Sequence, residues 1–192
     1  MGLLTGPPAF ERPLVTVDFD GVICSPFLGV NLGISREFVD PAAPAHPATV
    51  PPRWLRVLVD HARFDLRRPL PDARDGLAAL AQVARVTILT GRRSSPAAWL
   101  RWHHLDSHIE AIIINTGPLR SAHFKLTEIE RLRPRAHIDD DPRTAQLLAQ
   151  RADVQVFLRD WPRNRDLEYA PRVTRIATLA DAARRLRGLD PQ

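Results

Sequence analysis

The sequence contains one cysteine, Cys24, and one lysine, Lys125, among its 192 residues. A single cysteine excludes a disulfide within the chain and agrees with a reducing compartment. No apolar run approaches the roughly 20 residues that are needed to span a bilayer. Residues 1–10 lack the basic start and the apolar stretch of a secretory signal. We therefore expect a cytoplasmic protein that has no membrane partner.

The charge balance is strongly basic, with a formal net charge of +5 and a pI near 10.7. Such a balance is compatible with a nucleic-acid partner. The arginines, however, are spread through the chain in small groups, which is more typical of solvated surfaces than of a binding stripe. Lysine occurs only at position 125, although arginine is frequent. This favours a need for a compact ammonium group at Lys125, with chance as the alternative.

Short apolar runs of strand type alternate with amphipathic stretches over most of the chain. Strands are predicted at 14–17, 86–89, 112–114, 136–138, 154–158 and 173–176. Helices are predicted at 72–83, 95–104, 121–133, 142–152 and 179–189. This alternation predicts an α/β fold in which a parallel sheet carries helices on both faces.

The segment 25–69 interrupts the alternation. Five prolines fall between positions 41 and 52, and they oppose regular structure there. The segment is too long for a simple connection, so we predict a small cap at 25–69, inserted into a core domain of residues 1–24 and 70–192. Three residues of this cap either face a substrate or pack the insertion onto the core: Trp54, His61 and Arg63.

Two carboxylates follow the first predicted strand. In an extended chain, residues two apart share a face at a spacing of roughly 7 Å, so Asp18 and Asp20 can converge on one centre. Carboxylates this close repel each other unless a cation lies between them, and their oxygens suit Mg²⁺. Gly21 permits the turn that follows. Alternatively, both acids are turn and cap residues after an ordinary strand.

Polar residues cluster at the predicted carboxyl ends of the strands, where parallel sheets bind their ligands. Lys125 lies on a helix that can return to the same edge. The complete set suits phosphoryl transfer to an aspartate: Asp18, Asp20, Thr90, Gly91, Lys125, Asp139 and Asp140.

Each member of this set has an expected role. Asp18 attacks phosphorus, and Asp20 protonates the leaving oxygen and later deprotonates a water molecule. Thr90 and the Gly91 N–H hold phosphoryl oxygens, while Lys125 balances the negative charge. Mg²⁺ is expected to be held by Asp18, by the main-chain carbonyl of Asp20, and by Asp139 or Asp140.

In this order, the motifs resemble those of the haloacid dehalogenase superfamily of phosphatases. Residues 18–21 resemble the first motif, 90–92 the second, Lys125 the third and 138–140 the fourth. The resemblance covers about residues 14–158 and implies a Rossmann-like, three-layer core with a cap after the first strand. It also implies that Asp139 or Asp140 is the metal ligand. Asp141, which precedes Pro142, is best interpreted as a helix cap.

Two further segments, 137–142 and 161–164, are similar to the 5′(3′)-deoxyribonucleotidase branch of that superfamily. We expect Gly91, Arg92, Trp161 and Asn164 to contact the substrate. The alternatives are that Arg92 faces solvent and that Trp161 packs against the core rather than stacking on a base.

The sequence thus predicts a Mg²⁺-dependent phosphomonoesterase whose partner is a small phosphorylated substrate, with a nucleoside monophosphate as the first choice. One alternative is a phosphatase that acts on nucleic-acid ends, which the high pI favours. Another is a binding module that kept the fold and lost turnover. A binding module, however, has no need of both Asp18 and Asp20.

Overall fold

The computed structural model describes residues 12–26, 38–44, 47 and 67–189. Within these ranges, six strands form one sheet in the order β3-β2-β1-β4-β5-β6, and every pair of neighbours is parallel. The strands are β1 (Leu14–Val17), β2 (Arg85–Thr90), β3 (Ala111–Ile114), β4 (Ala136–Asp139), β5 (Gln155–Arg159) and β6 (Val173–Ile176). The prediction of a parallel α/β sheet is confirmed.

Each connection from β1 to β5 carries a helix and a fifth helix follows β6, as the alternating pattern predicted. The helices are α1 (Ala73–Val83), α2 (Ala97–Trp102), α3 (Ser121–Leu132), α4 (Pro142–Arg151) and α5 (Leu179–Arg187). Asp141 caps α4 by accepting the Arg143 N–H, as expected for an aspartate before a proline at the first helical position. None of the helices in the described ranges combines the length and the hydropathy that a membrane crossing requires.

Different helices cover the two faces of the sheet, and the apolar residues divide accordingly. Along β5, Phe157 belongs to the buried cluster that includes Leu77 of α1 and residues of α5. Its neighbours Val156 and Leu158 belong to the cluster of α3 and α4. Because alternate residues of a strand face opposite sides, the single strand β5 contributes to the apolar clusters on both faces of the sheet.

The two ends of the predicted cap segment, 25–69, lie side by side next to β1. Ser25 N–H donates to the Arg68 carbonyl (2.9 Å), and Leu70 N–H donates to the Ile23 carbonyl (2.8 Å). The chain therefore leaves and re-enters the core at adjacent points. Most of the segment lies outside the described residues, so the cap stays a prediction, as do the roles suggested for Trp54, His61 and Arg63.

Candidate active site

Three neighbouring strands end at the candidate site. β1 leads into Asp18, β2 ends at Thr90, and β4 ends at Asp139. The Asp18 N–H donates to the Ile138 carbonyl at 2.8 Å, so the pairing of β1 with β4 continues to the first residue of the site. The topology thus brings the predicted residues of three separate motifs to one edge of the sheet.

Polar and apolar residues alternate along β1 and β4, and the polar ones form a buried strip beneath α3. The buried apolar residues of both strands face the cluster of α1 and α5: Val15, Val17, Ala136 and Ile138. The polar residues between them, Thr16, His137 and Asp139, are fully buried on the other side. There, Lys125 enters from α3 with only 2% of its surface exposed.

Lys125 joins two carboxylates of the site. Its Nζ lies 3.0 Å from Asp18 Oδ1 and 2.8 Å from Asp139 Oδ2. Burial by itself would lower the pKa of Lys125, but the charges of Asp139 and Asp18 raise it well above its ordinary value. The lysine is therefore a permanent ammonium group that touches the predicted nucleophile.

Asp139 uses both of its oxygens inside the protein. Oδ1 accepts the backbone N–H groups of Asp140 (2.8 Å) and Asp141 (2.9 Å). Oδ2 accepts from Lys125 (2.8 Å) and lies 2.9 Å from His137 Nε2. Burial opposes ionisation, but Lys125 and His137 prevail and lower the pKa of Asp139. A carboxylate with four donors has little capacity left for a metal ion, so Asp140 is the better ligand.

His137 is a site residue for which the sequence analysis assigned no role. Its Nδ1 lies 2.9 Å from Thr16 Oγ1, its partner across the β1–β4 pair. Burial lowers the pKa of His137, so the imidazole is neutral. Because ionised Asp139 can only accept, Nε2 carries the proton and Nδ1 accepts from the Thr16 hydroxyl. The available signal was a pair of polar residues within two otherwise apolar strands.

Three buried carboxylates converge at the site: ligand atoms of Asp18, Asp139 and Asp140 lie within 4.8 Å of one another. Burial and the neighbouring carboxylates Asp139 and Asp20 raise the pKa of Asp18 to about 7, against the opposing effect of Lys125. Burial also raises the pKa of Asp140 well above its usual range; the charge of Arg163 opposes this rise, and Asp139 and Asp18 add to it. A divalent cation would relieve this repulsion, and hard carboxylate oxygens suit it.

Gly21 provides the space for Asp140. Its φ of +73° lies in the left-handed region, and a Cβ built there would lie 1.8 Å from Asp140 Oδ2. Only glycine allows the loop after β1 to approach the carboxylate this closely. The residues present therefore fit a metal ion between the Asp18 loop and Asp140.

Asp20 is held by two guanidinium groups. Arg92 forms a fork, with Nε 2.7 Å from Oδ2 and Nη2 2.7 Å from Oδ1. Arg67, at the end of the predicted cap segment, places Nη1 2.5 Å from Oδ1. Burial by itself would raise the pKa of Asp20, but Arg92 and, after it, Arg67 lower this pKa below its ordinary value. In this arrangement Asp20 is ionised, and Arg92 is buried beside it rather than exposed to solvent.

The second predicted motif follows β2. Thr90 is 1% exposed, and its Oγ1 accepts the Arg92 N–H at 3.3 Å. A Cβ on Gly91 would lie 2.1 Å from Ser121 Oγ, so a glycine lets the start of α3 approach the end of β2. Ser121 is the first residue of α3, and Arg120 is its N-cap. Lys125 follows Ser121 by four residues, which is about one helical turn.

Trp161 and Asn164 belong to the turn after β5. Trp161 Nε1 donates to the Gly21 carbonyl at 3.0 Å, which ties the turn to the loop after β1. Asn164 is fully buried, and its Nδ2 donates to the Arg159 carbonyl at 2.8 Å. In the described structure Asn164 supports the turn from inside the protein, and a substrate contact for either residue stays a prediction.

Comparison with known proteins connects this geometry to solved structures. No family model matches the sequence, and no curated protein matches it significantly. Among solved structures, L-2-haloacid dehalogenase from Xanthobacter autotrophicus superposes with a TM-score of 0.63 at 14% identity, covering 94% of this chain and 100% of the other. A haloacid dehalogenase superfamily hydrolase of subfamily IA from Geobacter sulfurreducens gives 0.56 at 19% identity, covering 90% and 98%.

A third similar structure was solved with a bound anion. CbbY from Rhodobacter sphaeroides, in complex with phosphate, has a TM-score of 0.56 at 15% identity, covering 89% of this chain and 96% of the other. These identities establish similarity of fold alone. The resemblance seen in the motifs is confirmed at that level, and the nucleotidase branch stays a prediction. The chain has the α/β, Rossmann-like fold of the haloacid dehalogenase superfamily hydrolases.

Proposed function

We propose that the protein is a Mg²⁺-dependent phosphomonoesterase that forms a covalent aspartyl phosphate on Asp18. The observation that carries this proposal is the buried cluster at the ends of β1 and β4. There, Lys125 Nζ lies 3.0 Å from Asp18, and Asp18 shares a possible metal position with Asp140 and Asp139. One nucleophilic carboxylate beside an ammonium group and further carboxylates suits an anionic, phosphorylated substrate.

In the first step, an Asp18 carboxylate oxygen attacks phosphorus, and the bond between phosphorus and the ester oxygen breaks. Lys125 balances the negative charge of the Asp18 carboxylate before the attack and that of the phosphoryl oxygens after it. In the second step, water attacks the aspartyl phosphate, and the bond between phosphorus and Asp18 breaks. The products are inorganic phosphate and the regenerated Asp18 carboxylate.

Asp20 moves the protons of both steps. The leaving ester oxygen takes a proton from Asp20, and the attacking water returns one to it. Held by Arg92 and Arg67, Asp20 is ionised and thus in the state that the second step needs. For the first step it must take up a proton, which requires these contacts to loosen.

The acidic cluster requires a positive partner before a phosphate can approach. When bound, Mg²⁺ supplies the charge that shields Asp18 from the phosphoryl oxygens. Asp18 and Asp140 would hold it, because Asp139 is already occupied by four donors. Thr90 and the Gly91 N–H, at the neighbouring strand end, are the proposed contacts of the phosphoryl group.

A nucleoside monophosphate is the proposed substrate class. Trp161 lies beside Gly21 at the edge of the site, partly packed against the core, and the remainder of its ring would stack on a base. The alternative substrate, a phosphorylated nucleic-acid end, agrees with the basic charge of the chain. Steep salt dependence on an oligonucleotide, absent for a mononucleotide, would favour that alternative.

Hydrolytic dehalogenation is a second candidate function, because L-2-haloacid dehalogenase is among the similar structures. In that reaction the Asp18 oxygen would attack carbon, and the carbon–halogen bond would break to release halide. A halide ion leaves without a proton, so dehalogenation needs no acid for its leaving group, whereas the leaving oxygen of a phosphate ester does. In both reactions a base such as Asp20 would deprotonate the water that hydrolyses the ester on Asp18. The acidic cluster therefore favours phosphate ester hydrolysis.

The test measures phosphate release from nucleoside monophosphates, sugar phosphates and oligonucleotides phosphorylated at the 3′ or 5′ end, with Mg²⁺ and with chelator. Chloride release from 2-chloropropionic acid tests the second candidate in parallel. We expect chelator-sensitive phosphate release that Asp18→Asn abolishes. In the wild type, mass spectrometry of the acid-quenched enzyme should find a phosphoryl group on the peptide that contains Asp18.

The matched control is Asp153→Asn, which makes the same chemical change at an exposed residue paired with Arg172. It should retain wild-type turnover. Phosphate release that persists in folded Asp18→Asn would refute the covalent mechanism. Chloride release without phosphate release would select the dehalogenase.

A further inference from the structure

An arginine also contacts the candidate metal site. Arg163 Nη2 donates to Asp140 Oδ2, the oxygen that approaches Gly21 most closely. The Asp140 side chain is 3% exposed and that of Arg163 is 20% exposed. The guanidinium therefore reaches inward from the rim of the site and neutralises a deeply buried carboxylate.

We propose that Arg163 is an internal counter-cation of the metal site, which neutralises Asp140 when no metal is bound and is displaced from it by a divalent cation. The inference rests on the proposed function only in taking Asp140 as a metal ligand. It assigns to Arg163 a role that the motif resemblance did not predict. Metal binding and the Arg163–Asp140 pair then exclude each other.

The geometry of the pair makes it displaceable. Arg92 binds Asp20 through two parallel hydrogen bonds, at 2.7 Å each, whereas Arg163 reaches Asp140 through Nη2 alone. Among the described residues, Arg163 Nε is buried without a hydrogen-bond partner. A single-point contact has neither the strength nor the directionality of a fork, so Arg163 is attached more weakly than Arg92.

Electrostatics supplies the reason for displacement. Two cations that share one buried carboxylate repel each other strongly, because the low local dielectric weakens screening. The divalent ion gains Asp18 as well as Asp140, whereas within the described ranges Arg163 pairs with Asp140 as its one acidic partner. The ion therefore has the greater attraction, and the guanidinium leaves.

The turn after β5 allows the side chain to move while the backbone stays in place. Arg163 lies in the short helix Pro162–Asn164, whose last residue is anchored inside the protein. Its guanidinium carbon also lies 5.4 Å from the centre of the Trp161 ring. That aromatic face offers a position at the rim for the displaced cation.

The direct test is calorimetric titration of Mg²⁺ into the chelator-treated full chain, without substrate. The variants are Arg163→Gln, Arg163→Lys and the control Arg165→Gln. The control removes the same charge two residues away, from a side chain that is 56% exposed and paired with Asp160. We expect Arg163→Gln to bind Mg²⁺ about tenfold more tightly than the wild type. Arg163→Lys should lie between them, and Arg165→Gln should match the wild type.

Thermal unfolding gives an independent readout. Without metal, Arg163→Gln leaves Asp140 without this partner, so its melting temperature should fall below that of the wild type. With saturating Mg²⁺, the difference should close, because the ion replaces the guanidinium. If Arg163→Gln folds only with Mg²⁺, that requirement would itself support the proposal. The calorimetric Mg²⁺ titration would then compare Arg163→Lys with the wild type.

Several results would overturn the proposal. Equal or weaker Mg²⁺ binding by Arg163→Gln would show that Arg163 does not compete with the metal. Equal tightening in Arg165→Gln would reduce the effect to overall charge. Binding by Arg163→Gln but not by the wild type would make Arg163 a permanent substitute for the metal. Absence of Mg²⁺ binding in every variant would instead refute the metal requirement of the proposed function.

Discussion

Lys125→Met isolates the electrostatic centre of the site. Methionine keeps most of the apolar stem of the lysine and removes the charge that touches Asp18 and Asp139. Both carboxylates are buried: the side chain of Asp18 is 8% exposed and that of Asp139 is fully buried. Asp139 keeps His137 and two backbone donors, whereas Asp18 loses the ammonium group that holds it ionised.

The expected magnitude follows from this burial. Removing one partner of a buried ion pair costs about 3–5 kcal/mol, a large part of a typical domain stability of about 5–15 kcal/mol. For a chain of this size, the melting temperature should fall by roughly 6–20 °C, at about 2–4 °C per kcal/mol. Mg²⁺ should recover part of the loss, because it supplies another positive charge to Asp18.

The pH dependence of the loss has a definite sign. The pKa of Asp18 in the folded protein is raised to about 7 by burial, above the roughly 3.9 expected in the unfolded chain. Ionised Asp18 thus costs folding free energy, and this cost grows as pH rises from the unfolded pKa through the folded one. Without Lys125 the folded pKa rises further. The stability gap between the variant and the wild type should therefore widen from acidic to alkaline pH.

Urea unfolding in chelator, followed by circular dichroism between about pH 5 and pH 8, measures this gap. The control is Arg131→Met, also on α3, which breaks an exposed pair with Glu128 and should cost about 0.3–0.5 kcal/mol or less. A loss for Lys125→Met as small as that of the control, or a gap that does not change with pH, would refute the electrostatic reasoning.

Two further predictions concern the loop after β1. Gly21→Ala should weaken Mg²⁺ binding and lower stability by about 1–2 kcal/mol or more, because it forces a side chain into the left-handed region and against Asp140. Gly117→Ala, whose Cβ would meet no atom of the described residues closer than 4.0 Å, should leave both unchanged, as calorimetry and thermal unfolding will measure. Burial raises the pKa of Cys24 to about 11, so the native thiol should resist iodoacetamide near pH 8 and react once urea unfolds the chain.

Each of these two predictions has a contradicting result. Equal Mg²⁺ affinity in Gly21→Ala and Gly117→Ala would mean that the approach of the loop to Asp140 is irrelevant to the metal. Labelling of native Cys24 at the rate of a free thiol would mean that the loop opens readily to solvent.

The order of strands and helices was predictable from the sequence because it depends on local patterns. Apolar runs, helical periodicity and turn residues are each read within a dozen positions, and the bounds of the described elements agree with them to within a few residues. The rule that parallel sheets bind ligands at their carboxyl ends then selected Asp18, Thr90 and Asp139 together. Lys125 was selected by its uniqueness rather than by its position.

The contacts of the individual side chains depended on tertiary structure. The sequence left Asp139 and Asp140 equivalent as ligands, and only the four donors around Asp139 separate them. Arg163 and Asp140 are 23 residues apart in the sequence, and Arg92 and Asp20 are 72 residues apart. Hydrogen bonds over such separations leave no local signal.

The sequence by itself therefore determined which kinds of residue meet at the sheet edge, because strand polarity and the period of two are local properties of the chain. Tertiary structure decided which carboxylate is saturated and which arginine neutralises which acid. Those outcomes depend on burial and on distances between atoms of separate elements. They also set the pKa of each group, because desolvation and charge act through space rather than along the sequence.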